Sequence, residues 1–217
     1  MSDLQTQLDS ITAQTRALVQ AERLAITDNG IAELLSSGIE GRVLSAGAQA
    51  PGFALPDALT GKLVRSSDLL ALGTLVIKFF RGRWDPYCMT ELEAWQKLYS
   101  EVRAHGALLV AVSPQLPRQN DFTVQQHNLT FPILSDAGCS VAETYGISYA
   151  LPEDMQRHYR SILVNIPFVN GDDSWRLPLP ATFVVSPSGT ILYSEAHADH
   201  RVRPNPADVF DVLRSSH

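Results

Sequence analysis

Cys88 is the residue of this 217-residue chain with the best position for nucleophilic chemistry. It follows an apolar run, residues 74–80, and a short polar turn. It precedes residues at the three- and four-residue spacing of an amphipathic helix: Leu92, Trp95, Leu98 and Val102. A thiol in the first turn of a helix lies at the positive end of the helix dipole, near unpaired backbone N–H groups, and both favour the thiolate. The pattern predicts a redox-active cysteine at a strand–helix junction; the alternative is a small apolar residue packed under the helix.

Asp85 stands three residues before Cys88 and is the second candidate for chemistry. We expect its carboxyl within about 5 Å of the sulfur, where a carboxylate and a thiolate repel by roughly 3 kcal/mol at an effective dielectric constant of about 20. This repulsion raises the pKa of Cys88 by on the order of two units, whereas Arg81 or Arg83 and the helix N-terminus lower it. Asp85 either acts as general acid or base towards a bound peroxide or disulfide, or it caps the helix and leaves the thiol inert.

Residues 84–88, Trp-Asp-Pro-Tyr-Cys, are similar to the Trp-Cys-Pro-Tyr-Cys motif of thioredoxin-like proteins. More narrowly, residues 47–205 resemble the peroxiredoxin-like branch of the alkyl hydroperoxide reductase/thiol-specific antioxidant family. The supporting segments are 47–57 (GAQAPGFALPD), 131–136 (FPILSD), 141–146 (VAETYG), 170–175 (NGDDSW) and 178–185 (PLPATFVV). The resemblance implies a thioredoxin-like α/β fold, with a central mixed sheet and helices on both faces.

The chain departs from the pattern of that family at its site. Asp85 replaces the first cysteine of the CxxC motif, so Cys88 has no partner for an intramolecular CxxC disulfide. In the Pro-x-x-x-Thr-x-x-Cys motif of the peroxidases, Arg81 and Asp85 hold the Pro and Thr positions. Pro180 replaces an arginine that peroxiredoxins carry before the Thr-Phe strand, and it resembles the cis-proline of thioredoxins. The resemblance therefore implies a cis Leu179–Pro180 bond that faces Cys88.

Five residues are candidates for binding a substrate beside the thiol. Three of them are aromatic side chains that either line an apolar entrance to the site or, equally, only pack in the interior. The resemblance adds two residues from the segment 178–185. These candidates are Trp84, Tyr87, Trp175, Pro180 and Thr182.

Cys139 is the other cysteine of the chain and a candidate resolving thiol for a sulfenic acid on Cys88. This role requires the two Cα atoms to lie within about 7 Å of each other. The alternative is a buried, inert cysteine. Two cysteines exclude a disulfide scaffold and suit a reducing cytoplasm, where we expect the protein to act.

No metal or cofactor is expected. His197, Asp199 and His200 form a small polar cluster, but their spacing matches no established metal site, and a solvated turn is the simpler interpretation. The glycines form no phosphate-binding fingerprint, which argues against a nucleotide cofactor.

The chain divides into two expected parts. Residues 1–46 form an N-terminal helical extension, with one helix from Leu4 to about Leu24 and a second from about Asp28 to Gly38. This extension serves in homodimer formation, covers the substrate or packs on its own core. Residues 47–217 form the thioredoxin-like domain, and an insertion at about 147–179 is expected to form a wall or lid over the thiol.

Charge and composition exclude several classes of partner. The net charge of −6 and the absence of a basic cluster argue against nucleic acid. The first residues lack a signal-peptide pattern, and no apolar run approaches the ~20 residues that span a bilayer, so no membrane partner is expected.

We therefore expect thiol redox chemistry from this chain. The leading hypothesis is reduction of hydroperoxides by Cys88 alone, with an external thiol as reductant and Arg81 stabilising negative charge. The alternatives are thiol–disulfide exchange through a mixed disulfide, and a catalytically degraded protein that binds a partner or reports oxidation.

Overall fold

A mixed β-sheet forms the centre of the molecule in the computed structural model, which describes residues 4–215. The strands are β1 Ala54–Pro56, β2 Leu63–Arg65, β3 Leu75–Phe79, β4 Leu108–Ser113, β5 Ile133–Ser135, β6 Ser148–Ala150, β7 Arg176–Pro178, β8 Ala181–Val185 and β9 Ile191–Ala196. The central sheet has the order β5-β4-β3-β8-β9. Strands β3, β4 and β5 are parallel, whereas β8 is antiparallel to both β3 and β9. The mixed sheet predicted from the sequence is confirmed.

Helices cover both faces of this sheet. They are α1 Leu4–Leu18, α2 Ala21–Ser36, α3 Ser66–Leu70, α4 Pro86–Ala104, α5 Pro117–His127, α6 Ser140–Thr144, α7 Glu153–Ser161, α8 Ile166–Asn170 and α9 Pro206–Ser215. Two short 3-10 helices, Ile39–Arg42 and Ala137–Cys139, complete the described helical structure. Within residues 4–215, no helix is long and apolar enough to cross a membrane.

Alternation along the buried strands creates two separate cores. Val76 of β3 packs on one face of the sheet with Trp95 of α4 and Phe210 of α9. Its neighbour Ile77 belongs to the core of the opposite face, with Tyr145 beside α6. Because α4 lies on the first face, its first turn reaches the end of β3, where the chemistry was predicted.

The first two helices break at a different point from the one predicted. Helix α1 ends at Leu18 and α2 begins at Ala21, whereas the sequence favoured a break between residues 24 and 28. Asp28, the predicted start of the second helix, lies inside α2, and its carboxylate accepts a hydrogen bond from Arg201 at 2.8 Å. Helix α1 packs on α4, where fully buried Leu8 contacts the cluster around Tyr87.

Residues 147–179 contain more regular structure than the sequence indicated. The sequence favours one helix here, from Glu153 to about Leu163, and it is present as α7. Helix α8 and the antiparallel β6–β7 pair were not predicted. These strands are three residues long, too short to show a periodic pattern. Helix α7 packs against α2, so this segment connects the N-terminal helices to the sheet.

Gly146 packs closely against the backbone of the 3-10 helix that follows α2. Its φ of +75° is left-handed, and an added Cβ would collide with the Arg42 carbonyl. We predict that Gly146→Ala lowers the free energy of unfolding by about 2–5 kcal/mol, the sum of left-handed strain and overpacking. Gly138→Ala is the matched control, because Gly138 has a φ of +71° and no atom within 4 Å of its Cβ position. It should cost about 1–2 kcal/mol in urea unfolding; equal costs would contradict the proposed contact.

Candidate active site

The start of α4 holds Cys88 in its first turn. Asp85 is the N-cap of this helix, and its Oδ1 accepts the backbone N–H groups of Tyr87 at 3.0 Å and Cys88 at 3.4 Å. Pro86 follows at the first helical position. A backbone N–H at this position has no partner within the helix, so proline loses no hydrogen bond there. Asp85 therefore caps the helix, as one of the two hypotheses for it required.

The Cys88 sulfur lies between a carboxylate and a guanidinium. The thiol donates to Asp85 Oδ2 at 3.4 Å, and Arg203 Nη2 donates to Sγ at 3.4 Å. Cys88 is fully buried, at 0% exposure. Asp85 thus caps the helix with one oxygen and accepts from the thiol with the other.

Burial raises the pKa of Cys88, Asp85 raises it further, and Arg203 and Arg81 lower it, with a resulting value of about 12. The opposition between Asp85 and the arginines agrees with the sequence argument. The larger effect of burial was not anticipated. At neutral pH the sulfur is therefore a protonated thiol, and the start of the helix does not by itself produce a thiolate.

Arg81 connects Asp85 to the segment predicted to cover the site. Its Nη1 donates to Asp85 Oδ2 at 3.1 Å and its Nη2 donates to the Tyr159 hydroxyl at 2.5 Å. The guanidinium lies 4.8 Å from the centre of the Trp84 ring, which contacts Tyr159 edge-on. Tyr159 belongs to α7, so residues 147–179 contribute a wall of the site.

Arg203 is held against the sulfur by a buried ion-pair chain. Glu91, three residues after Cys88 on α4, accepts from Arg203 Nε at 2.8 Å and from Lys78 Nζ at 2.5 Å. Lys78 also donates to the Thr182 hydroxyl. Removing either partner of such a pair leaves an uncompensated charge in the interior. The ion pairs therefore restrict where the Arg203 side chain can lie.

A cavity of about 200 Å³ reaches Asp85 from outside. Its lining includes Arg81, Trp84, Asp85, Tyr87, Tyr159 and His200, together with residues of α1 and α2. Cys88 is not among the lining residues, whereas Asp85, whose carboxylate accepts from the Cys88 thiol, is. A small molecule in this cavity meets Asp85 and Arg81 first.

The predicted substrate-binding residues occupy different places. Trp84 and Tyr87 line the cavity, and the Tyr87 hydroxyl also lies 3.0 Å from Thr12 Oγ1 of α1. Thr182 is fully buried beside Lys78, and Trp175 packs within residues 147–179, outside the cavity lining. The substrate-binding roles remain predictions.

The expected cis peptide bond before Pro180 is wrong. Among residues 4–215 no peptide bond is cis. The Leu179 N–H donates to the Ile147 carbonyl at 2.7 Å, and the chain passes from β7 directly into β8. This continuous extended path accommodates a trans bond.

Arg83 and Cys139 lie away from the sulfur. Arg83 Nε donates to Gln119 at 3.1 Å, so of the two arginines considered beside Cys88 only Arg81 enters the site. Cys139 is buried in the core on the opposite face of the sheet from Cys88, and both thiols are free. Burial and Asp136 raise the pKa of Cys139.

The cluster at residues 197–200 separates into two environments. His197 pairs with Glu195 at 2.7 Å, whereas Asp199 binds Arg201. His200 contacts Tyr87 edge-on, and burial together with the charges of nearby arginines lowers its pKa well below the usual range. Within residues 4–215, no group of three or more His, Cys, Asp or Glu residues is arranged to hold a metal ion.

Comparison with protein-family models gives a match to the AhpC/TSA family over residues 46–194. The chain belongs to this family. The match covers the whole central sheet except the last two residues of β9, and the resemblance drawn from the sequence motifs is confirmed.

Two curated relatives illustrate the range of the family. The thiol-disulfide oxidoreductase ResA of Halalkalibacterium halodurans is 36% identical over 106 residues, which cover 47% of this chain and 57% of that protein. The Haemophilus influenzae protein described as peroxiredoxin bcp is 27% identical over 172 residues, 79% of this chain and 97% of the relative. Relatives of both kinds support a thiol-based redox function for this AhpC/TSA protein.

Solved structures support the same fold. Peroxidoxin BcpB from Mycobacterium tuberculosis superposes with a TM-score of 0.63 at 22% identity, over 80% of this chain and 99% of that one. A yeast mitochondrial 1-Cys peroxiredoxin has a TM-score of 0.61 at 21% identity, over 79% of this chain and 76% of its own. The thioredoxin-like α/β fold is thereby confirmed.

Sequence reasoning missed Arg203, which contacts the sulfur, and the two charged residues that hold it in place. Arg203, Glu91 and Lys78 were not selected, although a lysine within the apolar strand at residues 75–79 signals a buried ion pair. Glu91 lies three residues after Cys88, on the same helical face. Arg203 gave no local signal, because its contact with Cys88 spans 115 positions.

Charge at Asp85 should control the protonation of Cys88. In a Cys139→Ser background, the S–H stretching band in the Raman spectrum reports Cys88 alone. We predict that Asp85→Asn lowers the pKa of Cys88 from about 12 by about one to three units, so that the band disappears at lower pH. Arg203→Met should shift the titration upward. An unchanged titration in both variants would contradict the electrostatic role of these two residues.

Proposed function

We propose that this AhpC/TSA protein reduces hydroperoxides through Cys88 as a single redox-active cysteine, with an external thiol as reductant. The observation that supports the proposal is the position of the sulfur, 3.4 Å from both the Asp85 carboxylate and the Arg203 guanidinium. The first can accept the thiol proton, and the second can stabilise the negative sulfur that forms.

The proposed reaction uses Asp85 as base and then as acid. The Cys88 thiol transfers its proton to Asp85 as the sulfur attacks one peroxide oxygen. An S–O bond forms, the O–O bond breaks, and the leaving oxygen takes the proton from Asp85. The products are a sulfenic acid on Cys88 and an alcohol or water; the sulfur loses two electrons and the peroxide gains them.

An external thiol completes the cycle. It attacks the sulfenic sulfur, releases water and forms a mixed disulfide, and a second thiol restores Cys88 as its partner leaves as a disulfide. An external reductant is supported by the location of Cys139 on the opposite face of the sheet. The yeast 1-Cys peroxiredoxin is resolved through the glutathione and thioredoxin systems. Because Cys88 is fully buried, a small thiol of the glutathione kind is the first reductant to test with this chain.

Access to the sulfur favours a small substrate. The 200 Å³ cavity is lined by Asp85 but not by the fully buried Cys88, so local movement around the thiol must expose Sγ before a peroxide oxygen reaches it. A peroxide needs a smaller opening than a protein disulfide, which must bring two sulfur atoms and their chains to Cys88. Thiol–disulfide exchange is therefore the less favoured of the two enzymatic alternatives.

A catalytically degraded protein that binds a partner or reports oxidation is the second candidate. Full burial of Cys88 and its pKa of about 12 favour this candidate, because both suppress the thiolate. The two candidates differ in whether the protein consumes peroxide catalytically.

Peroxide consumption in the presence of excess small thiol separates these candidates. We predict that Cys139→Ser retains the activity of the unmodified chain and that Cys88→Ser loses it. Excess peroxide without thiol should convert Cys88 to the sulfinic acid, detected by intact mass. A dominant Cys88–Cys139 disulfide in peptide maps would replace the single-cysteine scheme, and activity that survives Cys88→Ser would refute the site assignment.

Restoring the missing cysteine should change the reaction. We predict that Asp85→Cys forms an intramolecular disulfide with Cys88 and gains disulfide reductase activity on insulin, because it recreates a CxxC at a helix start and removes the opposing carboxylate. Asp85→Ser is the matched control, since it removes the same charge without adding a thiol. Equal reductase activity in the two variants would contradict this prediction, because the added thiol would then make no difference.

A further inference from the structure

A second cavity, of about 350 Å³, lies between α2, α7 and β6. Its volume is within the range of small-molecule sites. Arg81 and His200 line both cavities, whereas Asp85 and Cys88 do not line this one. Helix α2 precedes the residues that match the family, so one wall of this cavity comes from outside the family-matched segment.

About half of the residues that line this cavity are apolar. Ile31 and Leu34 of α2 face the cavity together with Leu151 and Met155 from the α7 side. An added Cβ at Gly30 would lie 2.9 Å from Met155 Cγ, which shows how closely the two helices approach there. The walls suit a short hydrocarbon chain.

Arg81 supplies a hydrogen-bond donor without an acceptor at the buried end of this cavity. Its two Nη groups are taken by Asp85 and Tyr159, neither of which lines this cavity, and its buried Nε has no hydrogen-bond partner. Arg81 is 1% exposed. A buried N–H without an acceptor is unfavourable, so an oxygen of a ligand at this position would be strongly stabilised.

The buried charge that faces this cavity is positive. Of the buried charged side chains Lys78, Arg81, Asp85, Glu91 and Arg203, only Arg81 belongs to the cavity lining. Lining residues nearer the surface are balanced, with Arg42 and Arg176 against Glu33 and Glu143.

Two further polar side chains, Tyr149 and His200, line the cavity with Arg81. Burial, together with the charges of nearby arginines, lowers the pKa of His200 well below its usual range, so its imidazole adds a hydrogen-bonding group without a charge.

We propose that this cavity binds a small monocarboxylate with a short apolar chain. The carboxylate accepts from Arg81 Nε and the Tyr149 hydroxyl, and the chain packs against Ile31, Leu34 and Met155. The ligand does not contact Cys88, so this proposal does not depend on the redox function.

Isothermal titration calorimetry with hexanoate and hexanol tests the ligand class. We expect saturable hexanoate binding, at least about tenfold tighter than that of hexanol, because only the carboxylate forms a charge-assisted bond with Arg81. Cys88→Ser should bind hexanoate as the unmodified chain does, which separates this result from any failure of the redox proposal. Absent hexanoate binding, or equal affinities for the two probes, would overturn the proposal.

Two variants of α2 test the location. Leu34→Trp fills the cavity and should weaken hexanoate binding at least about tenfold. Leu35→Trp is the matched control, because Leu35 is on the same helix, exposed and outside the cavity lining. Hexanoate binding that survives Leu34→Trp, or that both variants weaken equally, would place the carboxylate elsewhere. The hexanoate–hexanol comparison on the unmodified chain remains decisive if Leu34→Trp does not fold.

Discussion

The hydrogen bond between the Cys88 thiol and the Asp85 carboxylate is the interaction on which the rest of the site depends. It holds the proton on a fully buried sulfur, and the same carboxylate caps α4 and pairs with Arg81. One side chain therefore links the helix start, the protonation state of the thiol and the orientation of the arginine. Burial is the larger cause of the raised pKa of Cys88, and the carboxylate raises that pKa further.

Five charged side chains around the sulfur are almost wholly buried, and such an arrangement is tolerated only when each charge has a partner. The partners come from distant parts of the chain. Lys78 is on the central strand β3, Glu91 is on α4, and Arg203 follows β9. Tyr87 and Thr12 add a contact from α1, so the N-terminal helices close the site from outside. The sulfur is thus enclosed by buried charged side chains that the fold holds in place, and the N-terminal helices cover this site from outside.

The sequence predicted the parts of this arrangement that are local. The strand, the turn, the helix and the three-residue spacing of Asp85 and Cys88 were all visible, and the apolar run at residues 74–80 located the central strand β3. The depth of burial was not visible, because it depends on how α1, α7 and the segment after β9 cover the turn. For the same reason the sequence argument selected Arg81 to stabilise negative charge but left open whether Arg81 or Arg83 lowers the pKa of Cys88; tertiary packing directs only Arg81 inward. The cis-proline prediction failed because a motif was transferred from thioredoxins to a chain in which β7 leads straight into β8.

The pH dependence of Cys88 oxidation tests the central claim most directly. The rate of sulfenic acid formation would be measured with excess hydroperoxide in a Cys139→Ser background, from neutral to alkaline pH. If Asp85 accepts the thiol proton as the sulfur attacks, the rate stays nearly constant through the neutral range, although the pKa of Cys88 is about 12. A rate that rises about tenfold per pH unit from neutral pH upward would show that only the free thiolate reacts, and it would contradict a role for Asp85 in proton transfer.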